Sequence, residues 1–303
     1  MCESSITATK TKESPWTILK LIHWTTSFFN SRNIEGARAS AEIILAHTLG
    51  LKRIDLYVRY DQPVSPQELA LFKTMILRRV KREPVAYIIG KKEFWSMDLN
   101  VTEDVLIPRP DTECLVEHAL AIVSGDDSNR SWKLLELGTG SGAIILSMAA
   151  RHPQHRYFAS DRSEKAIRVA TANAERYYLS DTIHFFVGDW FRPIKKRHRN
   201  FDMIVSNPPY IPTHIITDLE PEISLYEPIT ALDGGKDGLE SIRLIADQAP
   251  FFLKPGGYLL LEIGHDQKEK VGSMVHNCGK YESFNIVKDY GGHDRVAIMK
   301  TTT

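Results

Sequence analysis

The sequence is poor in cysteine: among 303 residues there are 3, Cys2, Cys114 and Cys278. They are widely spaced, odd in number and without a CxxC pair, which rules out a disulfide framework and offers no zinc site. An excess of charge of one sign is also missing, since Lys+Arg 38 balances Asp+Glu 38. The basic surplus that marks a broad nucleic-acid footprint is therefore absent, and no stable nucleic-acid binding is expected. No run of about 18 apolar residues offers a membrane span. Residues 1–14 are polar and carry Glu3 and Glu13, so they have neither the apolar core of a signal peptide nor the Arg-rich, acid-poor bias of a transit peptide. A disordered tail over 1–15 and a reduced, cytoplasmic setting follow from these absences. There is no internal repeat, no low-complexity tract, no Ser/His/Asp constellation and no metal-ligand cluster. What remains is an ordinary globular composition, hydrophobic 43% and charged 25%, on a chain long enough for two domains.

From Trp16 the pattern is helical. Ile18, Leu21, Ile22, Thr25, Phe28 and Phe29 recur at helical spacing, as do Ala37, Ala41, Ile44, Leu45 and Leu49. Ser65-Pro66-Gln67-Glu68 reads as a helix start, with Ser65 as N-cap, Pro66 at the first helical position and Glu68 reaching back as in a capping box. The helix it opens carries Leu69, Phe72, Ile76 and Val80 on one face, a stripe that belongs in a core. This gives a small all-helical N-terminal domain over 16–83, without a catalytic cluster and suited to holding a partner. Pro84, Gly90 and the alternating run Met97-Asp98-Leu99-Asn100-Val101 then replace helical with strand-like periodicity. Residues 84–110 read as a β-hairpin linker. Ile107-Pro108-Arg109-Pro110-Asp111-Thr112-Glu113 closes it, and the prolines make a rigid loop from which Arg109 projects.

Residues 111–303 alternate strand and helix. Leu134-Leu135-Glu136-Leu137, Tyr157-Phe158-Ala159, Ile183-His184-Phe185-Phe186-Val187 and Met203-Ile204-Val205 read as strands. A further buried strand covers 258–263, after a turn at Lys254-Pro255-Gly256-Gly257, and two more fall around 284–287 and 295–299. Helices are expected over 143–150, 164–177, 239–249 and about 268–277. Such alternation means an α/β domain with a mostly parallel sheet and helices on both faces.

Four successive strands deliver polar or glycine elements at their carboxyl ends. Gly138-Thr139-Gly140-Ser141-Gly142 sits between a strand and a helix, where glycines let the backbone turn sharply and free N–H groups attract acceptor oxygens. Asp161 follows the second strand, where a carboxylate can accept both ribose hydroxyls of a nucleoside. Asp189-Trp190 follows the third, offering an acceptor for an adenine amino group and an apolar ring beside the base. Asn207-Pro208-Pro209-Tyr210 follows the fourth, and its two prolines force a stiff, extended turn. That turn would hold the Asn207 amide and the Pro208 carbonyl as paired acceptors, with the Tyr210 ring as an apolar wall, a grip for a planar NH2 group. Singly, each has an ordinary structural explanation: a helix N-cap for Asp161, a turn residue for Asp189, a half-buried aromatic for Trp190, a rigid corner for the prolines. Together, on the edge where open α/β sheets bind ligands, they point to a site.

The arrangement resembles the class I S-adenosylmethionine-dependent methyltransferases, Rossmann-like in fold, and Asn-Pro-Pro-Tyr is similar to the motif of those that methylate a nitrogen conjugated to a π system. Over about 16–299 the chain resembles the release factor glutamine methyltransferase family. Beyond the glycine loop, the resemblance is carried by Glu83-Pro84-Val85-Ala86-Tyr87-Ile88-Ile89-Gly90, Glu93-Phe94-Trp95, Asp189-Trp190, Val205-Ser206-Asn207-Pro208-Pro209-Tyr210-Ile211, Tyr226-Glu227-Pro228 and Asp289-Tyr290. The segment Ile107 to Glu113 is much more specific than the glycine loop, which many methyltransferases share. The resemblance implies methylation of the side-chain amide nitrogen (N5) of the glutamine in the Gly-Gly-Gln motif of peptide chain release factors. It implies S-adenosyl-L-methionine as cofactor and release factors as partners, docked by the helical domain. By position, Gly138, Thr139, Gly140, Ser141, Gly142, Asp161, Asp189, Trp190 and Asn207 would bind the cofactor, with Arg109, Phe94 and Glu262 as candidate neighbours. Asn207, Pro208, Pro209 and Tyr210 would bind the glutamine, with Asn207, Pro208 and Tyr210 catalytic. Ser141 stands where many members have Thr. A monomer is expected. The alternative is a nucleic-acid amino methyltransferase acting on adenine N6 or guanine N2, using Arg192, Lys195, Lys196, Arg197, His198 and Arg199 as a phosphate-binding run, although a solvated loop is the plainer reading of that run. An inactive cofactor-binding module is a further alternative, against which the intact Asn207 to Tyr210 turn argues.

Overall fold

The structure, a computed structural model, describes residues 15–126, 128, 130–195 and 199–303. The expected tail, apart from Pro15, lies outside these residues, as do Cys2 and Lys196, Arg197 and His198 of the basic run. The chain divides into two compact units, Met1–Ile89 and Gly90–Thr303.

In the first unit, helices Ile18–Asn30, Ala37–Leu49 and Pro66–Val80 bury Leu21, Ile22, Phe29, Ile44, Leu45 and Phe72 against one another. The capping box at Ser65 is formed: its hydroxyl accepts from Glu68 N, while Glu68 Oε2 accepts from Ser65 N at 2.8 Å. One charge enters this helical core without a signal in the periodicity. Glu42 is fully buried and accepts from Arg38, Arg53 and Tyr57 at 2.6–2.8 Å. Burial opposes its ionisation, but these donors prevail and hold its pKa below the usual carboxylate value.

The boundary differs from the expected one. Residues 85–89, read as part of a hairpin linker, form a short helix, Val85–Ile89, in the first unit. The Pro84 carbonyl accepts from Tyr87 N and Ile88 N, so the proline opens a helical turn rather than a strand. The hairpin is shorter and belongs to the second unit: β1 (Lys91–Phe94) pairs with β2 (Met97–Asn100). Its connection, Trp95-Ser96, has both residues at positive φ, 50° and 60°, as a two-residue type I′ loop requires. Trp95 N donates to Glu113 Oε1 at 2.9 Å, and the Asn173 side chain bonds both backbone groups of Asn100. Phe94 and Leu99 are buried in the core of the second unit, which makes the hairpin an integral part of it.

The main sheet contains β3 (Lys133–Leu137), β4 (Arg156–Asp161), β5 (Ile183–Val187), β6 (Phe201–Ser206), β7 (Leu253–Glu262), β8 (Tyr281–Lys288) and β9 (Asp294–Thr301), in spatial order β5-β4-β3-β6-β7-β9-β8. β5 to β7 run parallel in this order, and β9 and β8 are added antiparallel. Alternate residues face opposite layers, so each strand sorts its side chains by parity. Leu134, Met203, Val205, Leu260 and Val296 pack with the helices Glu113–Ser124 and Ala143–Arg151. Leu135, Ile204, Leu259, Leu261 and Ala297 pack with Glu240–Gln248 and Lys268–Cys278. Burial on both faces explains why the central strands read as nearly continuous apolar runs, each large aliphatic contributing ~1.5–3 kcal/mol.

Two local features depart from that simple pattern. The expected turn at 254–257 lies inside β7, as a register shift: Phe201 pairs with Leu253, but Met203 pairs with Tyr258. Asp202 sits buried in β6, is neutralised by Lys254 Nζ at 2.8 Å and by Arg130, and accepts from the backbone N of Lys133.

Candidate active site

Sheet register brings the four sequence elements to one level. Leu137 pairs with Ser160 of β4 and with Ser206 of β6, while Asp161 pairs with Val187 of β5. Gly138, Asp161, Asp189 and Asn207 thus emerge side by side at the carboxyl ends of adjacent strands. β3 and β6 also flank the point where the strand order reverses, the usual ligand crevice of an open α/β sheet. A cavity of about 270 Å³ opens there, near the lower bound for small-molecule sites. Of the sequence-predicted residues, 138–141, Asp161, Asp189, Trp190, Asn207 and Pro209 line it, together with Arg109. Gly142, Pro208, Tyr210, Phe94 and Glu262 are not among the lining residues.

The glycine loop is anchored rather than loose. Gly138 N and Thr139 N both donate to the Ser160 carbonyl, at 2.8 and 2.9 Å. Gly140 N donates to Asp161 Oδ2 at 3.0 Å, and Ser163 N to Oδ1 at 2.9 Å. Burial raises the Asp161 pKa although these donors oppose the shift. Gly140 has φ +55°, and a Cβ built there would meet nothing within 4 Å. Gly142 answers to packing instead: a Cβ would lie 2.8 Å from Leu146 Cδ1. The glycine lets the following helix pack closely. Trp190 is held at φ 51°, a left-handed conformation uncommon for a bulky residue, with its ring alongside Gly138. Asp189 Oδ2 is engaged by Arg192 at 2.9 Å, so the start of the basic run is tied to the site's own acid.

Open space against Gly140, a half-buried carboxylate with both oxygens anchored and an indole wall fit a nucleoside-type cofactor. The reading of the strands passed over Glu136 as a site residue. It is buried, lines the cavity and accepts from Thr139 Oγ1 at 2.6 Å. Burial pushes its pKa up to about 8. The available signal was an acid inside an otherwise apolar buried strand, Leu134-Leu135-Glu136-Leu137.

On the substrate side, Asn207 Nδ2 donates to Thr112 Oγ1 at 3.2 Å, which leaves Oδ1 as the acceptor available to a ligand. Tyr210 is fixed at both its side chain and its backbone. Its hydroxyl donates to Glu262 Oε1 at 3.2 Å and its carbonyl accepts from Gln267 Nε2 at 3.0 Å, so it braces the turn from behind. β7 explains this: Leu261 pairs with Ser206, which sets Glu262 level with Asn207. Phe94 is core, while Arg109 reaches the cavity and pairs with Glu227. Short helical turns after Tyr210 carry residues 228–231 to the cavity wall. Among the described residues no group of three or more His, Cys, Asp or Glu could hold a metal ion. Nor is any helix among them long and apolar enough to cross a membrane.

A release factor glutamine methyltransferase of Geobacter sulfurreducens is 42% identical over 285 residues, covering 94% of this chain and 97% of that relative. The chain belongs to the release factor glutamine methyltransferase family. A Rhodopirellula baltica relative of the same name is 35% identical, covering 97% and 99%. The family model of the PrmC N-terminal domain matches residues 20–90, and that of the methyltransferase small domain matches 113–219. A crystal structure of a methyltransferase from Pyrococcus furiosus has a TM-score of 0.51 at 18% identity, covering 76% of this chain and 98% of that one. At that identity the likeness speaks for the fold alone, which is the Rossmann-like methyltransferase fold expected from the sequence.

Proposed function

We propose that this protein transfers a methyl group from S-adenosylmethionine to the side-chain amide nitrogen (N5) of the glutamine in the Gly-Gly-Gln motif of peptide chain release factors. The observation that carries the reading is Asn207: it lines the cavity beside the glycine loop and Asp161, with its side chain's donor end already engaged and its acceptor end available. The names borne by the family relatives support the same activity.

S-adenosylmethionine supplies, when bound, an electrophilic methyl on a sulfonium centre. The chain's part is binding and orientation. The loop 138–141 and Asp161 hold the nucleoside end, and Trp190 covers the base. A glutamine amide nitrogen is planar and its lone pair is delocalised, so it is a poor nucleophile. Asn207 Oδ1 and the Pro208 carbonyl accept its two N–H bonds, which fixes the nitrogen in line for attack and favours its loss of planarity. Pro209 stiffens the turn that sets the two acceptors, and Tyr210 anchors it through Glu262. The helical unit docks the release factor. A chain lacking residues 1–89 should show a raised KM for intact release factor at unchanged cofactor affinity, and an unchanged KM would remove that role. Free Cys114 and Cys278 suit a reduced, cytoplasmic setting.

The deciding experiment incubates the protein with methyl-labelled S-adenosylmethionine and, separately, a release factor, its Gln→Ala loop variant, and structured RNA or DNA. Label is expected on the unmodified release factor alone. Label on nucleic acid, or equal label on the loop variant, would replace this reading with a base or off-motif methyltransferase.

A further inference from the structure

We propose that Thr112 is a positioning residue for methyl transfer, holding the Asn207 carboxamide with its oxygen turned toward the substrate nitrogen; this rests on the role given to Asn207 above. Thr112 directly precedes the helix Glu113–Ser124, where a threonine ordinarily accepts from a backbone N–H of the first turn. Here its backbone is already helical, at φ −66° and ψ −19°, and its side chain makes no capping hydrogen bond. The hydroxyl is buried and accepts instead from Asn207 Nδ2 at 3.2 Å. Thr112 also lines the cavity.

A carboxamide has a donor end and an acceptor end of nearly equal size, so its shape alone does not decide which end faces a ligand. Turned over, Asn207 would present N–H groups to the N–H groups of the substrate. The polarity is set from behind. Glu262 is buried, with Oε1 accepting from Tyr210 and Oε2 lacking a hydrogen bond of normal geometry. Burial raises the Glu262 pKa, and the nearby Thr112 hydroxyl opposes the rise. Arg295, held by Asp289 at 3.0 Å and Asp111 at 3.2 Å, adds positive charge beside it. The unpartnered Glu262 Oε2 offers an acceptor for the Thr112 hydrogen, which leaves a lone pair of the hydroxyl for Asn207 Nδ2. The order Asn207 to Thr112 to Glu262 thereby leaves Oδ1 for the substrate.

The test compares Thr112→Val, which removes the hydroxyl at nearly constant volume, with Thr112→Ser, which keeps it, in the full chain acting on a release factor. Thr112→Val is expected to lower kcat about 10- to 100-fold, with cofactor Kd by calorimetry within about twofold of wild type and with Thr112→Ser restoring turnover to within about threefold. Thr112→Ala replaces the valine variant if circular dichroism shows the latter unfolded. Turnover of Thr112→Val close to wild type, equal loss in the serine and valine variants, or a loss explained by cofactor affinity would each overturn the proposal. A wild-type chain that leaves the release factor unlabelled overturns the functional reading and this one with it. A labelled release factor with an unimpaired valine variant overturns this one alone.

Discussion

A single nitrogen of Arg109, Nη2, lies 2.8 Å from both carboxylate oxygens of Glu227, 118 residues further along the chain. The glutamate is buried, and the pair ties the Ile107 to Glu113 segment to the turns that carry residues 228–231 to the cavity wall. Burial raises the Glu227 pKa and Arg109 opposes the rise.

Removing the arginine leaves that buried acid without a counter-charge. Arg109→Ala should lower the unfolding free energy by ~1–3 kcal/mol, discounted for the partial exposure of the arginine, and weaken cofactor binding. Because both contacts come from one nitrogen rather than from the guanidinium fork, Arg109→Lys should retain most of each property. Urea midpoints and calorimetric Kd values for the two variants check this, and equal damage from Lys and Ala would assign the guanidinium some other task.

Asn207→Ala should abolish methyl transfer, with turnover falling at least about 100-fold, while cofactor Kd changes little. The check pairs a labelled-methyl assay with calorimetry on the same preparation. Retained turnover would remove Asn207 from the chemistry, and a collapse of cofactor affinity would move its role to binding.

Glu136 gives a pH dependence of defined sign. Its folded pKa, about 8, lies above the ordinary 4.5, so the folded state holds the proton more tightly than the unfolded one. The stability it contributes is whole below about pH 4.5 and is lost as pH rises through about 8, at a slope of up to about 1.4 kcal/mol per unit. Glu136→Gln should flatten the fall in stability between pH 5 and pH 8 relative to wild type, read from urea midpoints across that range. Parallel profiles for the two chains would mean that the acid is ionised in the folded state throughout.

Asn173 joins three pieces of the second unit. Its Nδ2 donates to the carbonyls of Asn100 at 3.0 Å and Ser141 at 2.9 Å, and its Oδ1 accepts from Asn100 N at 2.7 Å. Asn173→Ala should strand those buried and half-buried backbone groups and cost ~2–4 kcal/mol, loosening the glycine loop and lowering cofactor affinity with it. A shift in urea midpoint at constant slope is the expected signature; a change below about 0.5 kcal/mol would show that water or relaxation satisfies the exposed groups.

Much of this molecule could be read directly from local pattern. Alternating apolar strands, the capping box at Ser65, the glycine loop and the Asn207 to Tyr210 turn are each set by residues a few positions apart, where backbone geometry acts on its own. Residues 85–89 depart from the expected hairpin for the same reason: Pro84 and Gly90 suit a strand boundary and a short helix equally well, and only the packing around Val85–Ile89 distinguishes them.

The sequence by itself determined the types of the long elements, the order of the strands along the chain and the residue types available at each strand's carboxyl end. The tertiary structure alone decided how those residues are oriented. Asn207 meets Thr112 across 95 positions, Tyr210 meets Glu262 across 52 and Asn173 meets Asn100 across 73. No local propensity encodes such pairs, because they exist only once sheet register has brought separate strands level and burial has withdrawn water as the competing partner.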